Sequence, residues 1–304
     1  MSHIREKAEY ALTRTAVATA RHLPQWMLYW QTRLLALFLF CISFRRRTIT
    51  LRNLKLAFPQ LGRWRRLKIG IASFLNMADT TAESFLILAE RIRKEHFDTM
   101  IDGSELTHLK NLAEKNQDNG VLFITAHIGN WELMAHYVGT KIERPLNVVA
   151  RETSNPFLEK HFVTPLRTRF GNRVIYKKNA LRQIIKCLRK GEHVGMLIDQ
   201  KTSRTESISV PFLGHPVRAT ATPALLQSKY DLTVVPLFLM RKGTGQYKLK
   251  VGEPVPRVEA EDGDSDEMTE LTAKHQKALE DMVCQCPSQW LWMHDRWRLK
   301  NHQR

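Results

Sequence analysis

The sequence predicts an α/β fold: a mostly parallel sheet flanked by helices, preceded by an N-terminal helix that anchors the chain to a membrane. Short β-rich runs alternate with helical stretches from Val121 onward, which is typical of a parallel sheet covered on both faces. An apolar run over residues 23–44 is flanked by aromatic and basic residues, which is typical of a membrane interface. We therefore expect a basic segment with the anchor helix over residues 1–50 and a second domain over residues 51–304.

Composition excludes several classes of protein. Of the 304 residues, 43% are apolar, which is ample for a folded core and excludes a disordered chain. The mean hydropathy of −0.34 and the single long apolar run exclude a multi-span transporter. Four cysteines are too few for a disulfide scaffold, and we expect reduced thiols.

Positive charge is concentrated near the N-terminus. The formal net charge is +17, and residues 1–70 contain fourteen basic residues against two acids. Such a segment attracts polyanions, either nucleic acid or an anionic membrane. The Trp-, Leu- and Phe-rich run between the basic clusters favours the membrane, because a nucleic-acid-binding arm does not need it.

The apolar run itself has two possible arrangements in a bilayer. As a helix, its 22 residues extend about 33 Å, enough to span. Arg33 falls at its middle, however, and would cost roughly 2.5–3.5 kcal/mol at the bilayer centre. We expect embedding in one leaflet with Arg33 reaching the headgroups, while a true span and a buried hydrophobic helix remain alternatives.

The elements after the anchor follow from periodicity. A helical segment extends from about residue 67 to residue 97, and polar Asp79 and Glu83 interrupt its apolar stripe. The predicted strands cover residues 121–125, 146–150, 173–176, 193–198, 232–240 and 246–251. Helices are predicted near residues 131–140, 155–170, 179–190 and 219–230, and from about residue 266 onward.

Polar residues follow three of the predicted strands. His127 comes two residues after the first strand, Arg151 directly follows the second, and Asp199-Gln200 follow the fourth. Ligands of parallel sheets bind beyond the carboxyl ends of the strands. A base candidate, a cation and an acid are therefore expected at one edge of the sheet.

The segment His127 to Glu132, with the pattern HxxxxE, has a spacing that requires a break in the chain. Residues five apart in a continuous helix face apart, so we expect Gly129 to permit a turn and Asn130 to cap a helix that begins at Trp131. The Glu132 carboxylate could then accept from one imidazole nitrogen and leave the other to remove a proton from a hydroxyl. A capping histidine with a glutamate that favours the helix dipole is the alternative.

Five sequence blocks together resemble a known family. They are HxxxxE, Arg151-x-x-x-Asn155-Pro156, Asp199-Gln200, V-P-F-L-G over residues 210–214 and P-S-Q-W-L-W-M-H-D-R-W-R over residues 287–298. With N-L-K-L-A-F-P over residues 53–59, they resemble the lauroyl/myristoyl (HtrB-like) acyltransferases of lipid A biosynthesis, within the lysophospholipid acyltransferase superfamily. The resemblance covers nearly the whole chain, although Ser288 and Thr222 depart from the residues usual in the family.

The resemblance implies transfer of a fatty acyl group from acyl carrier protein to a hydroxyl of a lipid A precursor, at the cytoplasmic face of the bacterial inner membrane. It implies that His127 is the catalytic base and that Glu132 orients it. The other expected site residues bind substrate: Gly129, Asn130, Arg151, Asn155, Asp199 and Gln200. No metal and no cofactor are expected. Another glycolipid or a lysophospholipid as acceptor, or a basic lipid or nucleic-acid binder without catalysis, remain alternatives.

A second use of positive charge concerns the donor. Acyl carrier proteins are small and acidic, and the cations of the predicted helix near residues 179–190 could attract one electrostatically: Lys177, Lys178, Arg182, Lys186, Arg189 and Lys190. A solvated helix face is the alternative.

Overall fold

A computed structural model describes residues 2–176, 180–202, 207–258 and 265–297. The helices of this part of the chain are α1 (Ser2–His22), α2 (Gln25–Ile42), α3 (Phe44–Ala57), α4 (Arg63–Leu88), α5 (Phe97–Met100), α6 (Leu106–Lys115), α7 (Trp131–Lys141), α8 (Pro156–Leu158), α9 (Thr164–Thr168), α10 (Ala180–Leu188), α11 (Thr222–Tyr230) and α12 (Ser265–Gln285). The strands are β1 (Ile101–Asp102), β2 (Val121–Thr125), β3 (Leu146–Ala150), β4 (Arg173–Tyr176), β5 (His193–Leu197), β6 (Ser207–Phe212), β7 (His215–Thr220), β8 (Thr233–Gly243) and β9 (Gln246–Val251).

The predicted mostly parallel sheet is confirmed. Seven strands lie in the order β1-β9-β8-β2-β5-β3-β4, and every neighbouring pair is parallel except β8 with β9. The six predicted strands are all present, with ends shifted by three residues at most. The antiparallel hairpin of β6 and β7 was not predicted, because its strands contain Pro211 and Pro216, and proline disfavours regular strands.

Two hydrophobic cores cover the two faces of the sheet. Along β2, Leu122 and Ile124 point into one core, and Val121 and Phe123 point into the other. All five β2 residues are buried, so β2 is a central strand covered on both sides.

The N-terminal helices pack on α4. The ring of Phe40 in α2 meets Phe74 in α4 edge to face, with centroids 5.0 Å apart. Arg33 donates two hydrogen bonds to Asp79, at 2.7 and 2.9 Å, instead of extending alone toward headgroups. The expected domain boundary at residue 50 falls inside α3.

The outer face of α2 is apolar and exposed. Its exposed side chains include Trp26, Trp30, Leu35, Phe38 and Ile42. Among the described residues, no single helix has both the length and the apolar character needed to cross a membrane. The α2–α3 pair meets that test jointly, with a bend of 87° between the two helices.

Candidate active site

The register of two neighbouring strands brings His127 beside Asp199. β2 and β5 are parallel, with Thr125 opposite Leu197, so the residues two positions further on lie side by side. The His127 Nδ1 atom is 2.8 Å from Asp199 Oδ1, and the His127 amide donates to Oδ2 at 2.9 Å. The Trp290 indole also donates to Oδ2, at 2.8 Å. One carboxylate thus holds both the backbone and the ring of the histidine.

The charge of Asp199 determines which ring nitrogen carries the hydrogen. Its side chain is 2% exposed, and although burial alone would raise its pKa, the charge of His127 and the hydrogen bonds from His127 and Trp290 lower the pKa to about 2. An ionised carboxylate can only accept, so Nδ1 carries the hydrogen, and in the neutral form of the ring Nε2 keeps its lone pair. The Gln200 amide nitrogen lies 3.3 Å from that Nε2 atom.

The turn after His127 forms as the sequence predicts. The side chain of Asn130 accepts from the Leu133 amide, and α7 begins at Trp131. Gly129 has a φ of +59°, and a Cβ atom there would collide with the Leu239 carbonyl, so only glycine fits.

Glu132 does not hold the imidazole in this structure. It lies in the first turn of α7, where its Oε1 atom is 3.5 Å from Arg167 Nη2. The hydrogen bond that sequence analysis gave to Glu132 is made by Asp199, because the strand register sets Asp199 beside the ring while α7 turns Glu132 toward α9. Both carboxylates are within the site, but on different sides of His127.

Helix α4 supplies a buried polar wall behind the turn. Glu83 is fully buried and accepts from four groups: Arg241 at 2.8 Å, Tyr29 at 3.0 Å, Asn130 at 2.7 Å and Tyr247. Burial, the largest single influence, lowers the pKa of Arg241, but the charge of Glu83, its hydrogen bond and the charge of Asp79 together raise that pKa above its usual value. The signal for this wall was present in the sequence, as a carboxylate interrupting an apolar helical stripe.

The backbone of the turn is also fully engaged. The Gly129 carbonyl accepts from Asn76 at 3.0 Å and from Thr80 at 3.3 Å, and its amide donates to the Gln289 carbonyl. The Asn130 amide donates to the carbonyl of Leu239. Gly129 and Asn130, which were expected to bind substrate, use these groups to fix the turn.

The C-terminal segment completes the site. Trp290 pairs with Ile128 in an antiparallel bridge, and the Leu291 amide donates to the His127 carbonyl at 3.0 Å. Trp290, Trp292 and Trp297 are at most 8% exposed, so these rings belong to the core rather than to a lipid-facing rim. Sequence analysis missed the hydrogen bond from Trp290 to Asp199, although the tryptophan-rich run was visible.

A cavity of about 790 Å³ opens beside the imidazole. Polar side chains at its wall include His127, Glu132, Arg151, Arg167, Gln200 and Lys201. Glu132 is the only acid among the described lining residues, so the cavity is cationic overall. The remaining wall is largely apolar, and includes Val149, Ala180, Ile184, Met196 and Leu225.

Asn155 does not line this cavity. Its side chain is 2% exposed, accepts from the Phe157 and Leu158 amides, and donates to the Glu6 carbonyl and the Glu9 carboxylate. These contacts cap α8 and join it to α1. The predicted substrate-binding role of Asn155 therefore has no support in its contacts, whereas Arg151 and Gln200 do line the cavity.

An α/β sheet with a histidine–carboxylate pair beside a cavity with cationic and apolar walls suits proton transfer on a substrate with an anionic and an apolar part. Residues 3–299 match the model of the bacterial lipid A biosynthesis acyltransferases, and the chain belongs to this family. The match covers the N-terminal helices as well as the sheet.

Two named relatives are similar over most of their length. The chain is 26% identical over 258 residues to the lipid A biosynthesis lauroyltransferase of Escherichia coli K12, covering 84% of this chain and 80% of the relative. It is also 26% identical over 261 residues to the lipid A biosynthesis palmitoleoyltransferase of the same organism, with the same coverage. The two relatives are named for different acyl groups at equal identity, so similarity does not assign an acyl chain to this protein.

Proposed function

We propose that the protein transfers a fatty acyl group from acyl carrier protein to a hydroxyl of a lipid A precursor, at the cytoplasmic face of the bacterial inner membrane. The observation that carries the proposal is the His127–Asp199 pair, 2.8 Å apart at the wall of the cationic cavity. Family membership supports the acceptor, because lipid A biosynthesis names the pathway of the whole family.

His127 acts as the general base. Its Nε2 atom takes the proton of the acceptor hydroxyl, and the oxygen attacks the thioester carbonyl carbon. A tetrahedral oxyanion forms, the carbon–sulfur bond breaks, and the imidazolium gives its proton to the departing thiolate, which restores the neutral base. Asp199 stabilises the imidazolium while it exists. Because the hydroxyl oxygen attacks the thioester itself, the acyl group moves directly from sulfur to oxygen and no covalent enzyme intermediate is needed.

Gln200 is the donor that we assign to the oxyanion. Its amide nitrogen is 3.3 Å from His127 Nε2, and the attacked carbonyl must lie next to the hydroxyl bound at that atom. Arg151 lies on the same cavity wall and binds a phosphate of either substrate. Glu132 acts from the α9 side, where it positions Arg167 toward the bound substrate.

The donor binds across α10. Arg182 and Lys186 are exposed on this helix, Arg189 is exposed directly after it, and the helix residues Leu181 and Ile184 line the cavity. An acidic carrier protein bound to these cations can deliver its acyl chain straight into the apolar part of the cavity. Lys177 and Lys178, which were expected on the same face, lie outside the described residues.

The chain is anchored through residues 23–44. The exposed apolar side chains of α2 form a face suited to the acyl region of one leaflet, with Trp26 and Trp30 at one end and Phe44 at the other. A lipid acceptor then reaches the cavity from the bilayer on which the enzyme lies.

Acyl transfer by the purified full-length protein in detergent micelles tests the proposal. Acyl carrier protein with a loaded chain, a lipid A precursor and enzyme should yield the acylated precursor. His127→Ala should abolish product while vesicle binding stays intact. If the enzyme acylates a lysophospholipid and not the lipid A precursor, the proposed acceptor is wrong. Normal turnover by His127→Ala would refute the proposed mechanism.

A further inference from the structure

A second surface of the molecule combines exposed positive charge with exposed aromatic rings. Residues 45–68 contain nine basic residues and no acid. They form α3 from its second residue, the connection that follows, and the first turns of α4. We call this surface the cationic strip: Arg45, Arg46, Arg47, Arg52, Lys55, Arg63, Arg65, Arg66 and Lys68.

Two exposed aromatic rings accompany these cations, one within the strip and one at its edge. Phe44 is 71% exposed where α2 meets α3, and Trp64 is 64% exposed in the first turn of α4. The guanidinium of Arg63 lies over the Trp64 ring, 4.8 Å from its centroid. Large exposed rings beside arginines are typical of side chains at the headgroup level of a bilayer.

The charge of the strip is largely uncompensated by the protein. In the described ranges, Arg52 with Asp295 is the one ion pair that involves a strip residue. The first turn of α4 has no acid and no side-chain cap, although the N-terminus of a helix favours negative charge. Three arginines at that end repel the helix dipole, and an external anion would relieve this repulsion.

The position of the strip connects the anchor to the cavity. Its inner side holds the C-terminal segment, since Asn53 donates to the carbonyls of Trp292 and His294 at 3.0 and 2.8 Å. His294 lines the cavity. On its other flank the strip continues from the exposed apolar face of α2 at Phe44.

We propose that the cationic strip is a second membrane contact, which binds the headgroups of an anionic phospholipid bilayer. The inference rests on the proposed anchoring through α2 and adds an electrostatic component to it. The membrane affinity of an interfacial helix grows with its buried apolar area and with electrostatic attraction to anionic lipids, and α2 with the cationic strip supplies both.

Vesicle partitioning of the full-length protein tests this surface. Arg63→Ala/Arg65→Ala/Lys68→Ala removes three exposed cations, each expected to change partitioning about fivefold. The triple variant should therefore bind phosphatidylcholine–phosphatidylglycerol vesicles about 100-fold more weakly, and pure phosphatidylcholine vesicles almost as before. Trp64→Ala should weaken binding to both kinds of vesicle.

The matched control carries the same charge change on α10 and at the residue directly after it: Arg182→Ala/Lys186→Ala/Arg189→Ala. It should leave vesicle binding unchanged while raising the KM for the carrier protein, and the strip variant should retain acyl transfer in detergent. An unchanged partition of the strip variant would overturn the inference while leaving the proposed reaction intact. Binding of the wild type to duplex DNA in preference to anionic vesicles would overturn it as well.

Hydrogen exchange on the wild type provides a test without variants. Amides of residues 44–68 should be protected by anionic vesicles and not by zwitterionic ones. Equal protection by both would contradict a headgroup contact, even if the triple variant failed to fold.

Discussion

At the scale of single residues, the imidazole of His127 is oriented by a group 72 positions away. Local spacing correctly predicted Asn130 as the helix cap and Glu132 in the first turn of α7. It could not predict the partner of the ring, because that partner depends on how β2 and β5 align. The strand ends did indicate that Asp199 and Gln200 would lie at the same edge of the sheet.

Two carboxamide variants separate the roles of the two acids. Asp199→Asn removes the charge that stabilises the imidazolium and permits the wrong tautomer, so kcat should fall about 10³-fold to 10⁴-fold. Glu132→Gln, which changes a residue paired with Arg167, should raise KM more than it lowers kcat. Steady-state kinetics with both substrates measures the split. A larger loss of kcat in Glu132→Gln than in Asp199→Asn would return the orienting role to Glu132.

At the scale of elements, α4 joins α2 to the candidate active site. Arg33 of α2 donates to Asp79 of α4. One turn further along α4, Glu83 accepts from Asn130, the residue that caps α7. Hydropathy treats Arg33 as an isolated charge in an apolar run, so the sequence predicted a free, headgroup-directed side chain. The polar positions of α4 were visible, but matching them to α2 required knowledge of how the two helices pack.

Glu83→Gln tests the contacts by which α4 holds the cap of α7 in place. The variant keeps the shape of the side chain but leaves the Arg241 guanidinium, 9% exposed, without its closest counter-charge. Breaking a buried ion pair from one side costs about 3–5 kcal/mol of unfolding free energy. Denaturant unfolding in mild detergent measures the loss. Glu253→Gln is the matched control, since that side chain is 85% exposed and should change stability by less than about 0.5 kcal/mol. Equal stability of the two variants would contradict a structural role for the buried wall.

At the scale of the whole molecule, the sheet was the most predictable part and the arrangement of the N-terminal helices the least. Alternating apolar runs determine β2, β3, β4 and β5 almost to the residue, because buried parallel strands carry a strong local signal. The division into an N-terminal segment over residues 1–50 and a second domain stays a prediction, while the structure shows that α1 contacts α8 and α2 packs along α4. Those contacts join residues far apart in sequence, and composition alone does not encode them.

The same scale explains why the cavity has its particular chemistry. Arg151 after β3, Arg167 of α9 and Lys201 after β5 line the cavity together with one acid, Glu132. The apolar part of the wall comes from α10, α11 and the strands. The exposed apolar face lies on α2, and the cationic strip begins on α3. Helix α3 in turn contacts the C-terminal segment at His294, which lines the cavity. In the proposed function, this order brings the acceptor from a bilayer and the donor from solution.

The most direct test of the central claim is the mass of lipid A from cells that lack the protein, overproduce it, or carry only His127→Ala. The account predicts that lipid A loses one ester-linked fatty acyl group without the protein, regains it with the wild type, and does not regain it with His127→Ala. Lipid A of unchanged mass in all three strains, or full restoration by His127→Ala, would contradict acyl transfer by this histidine.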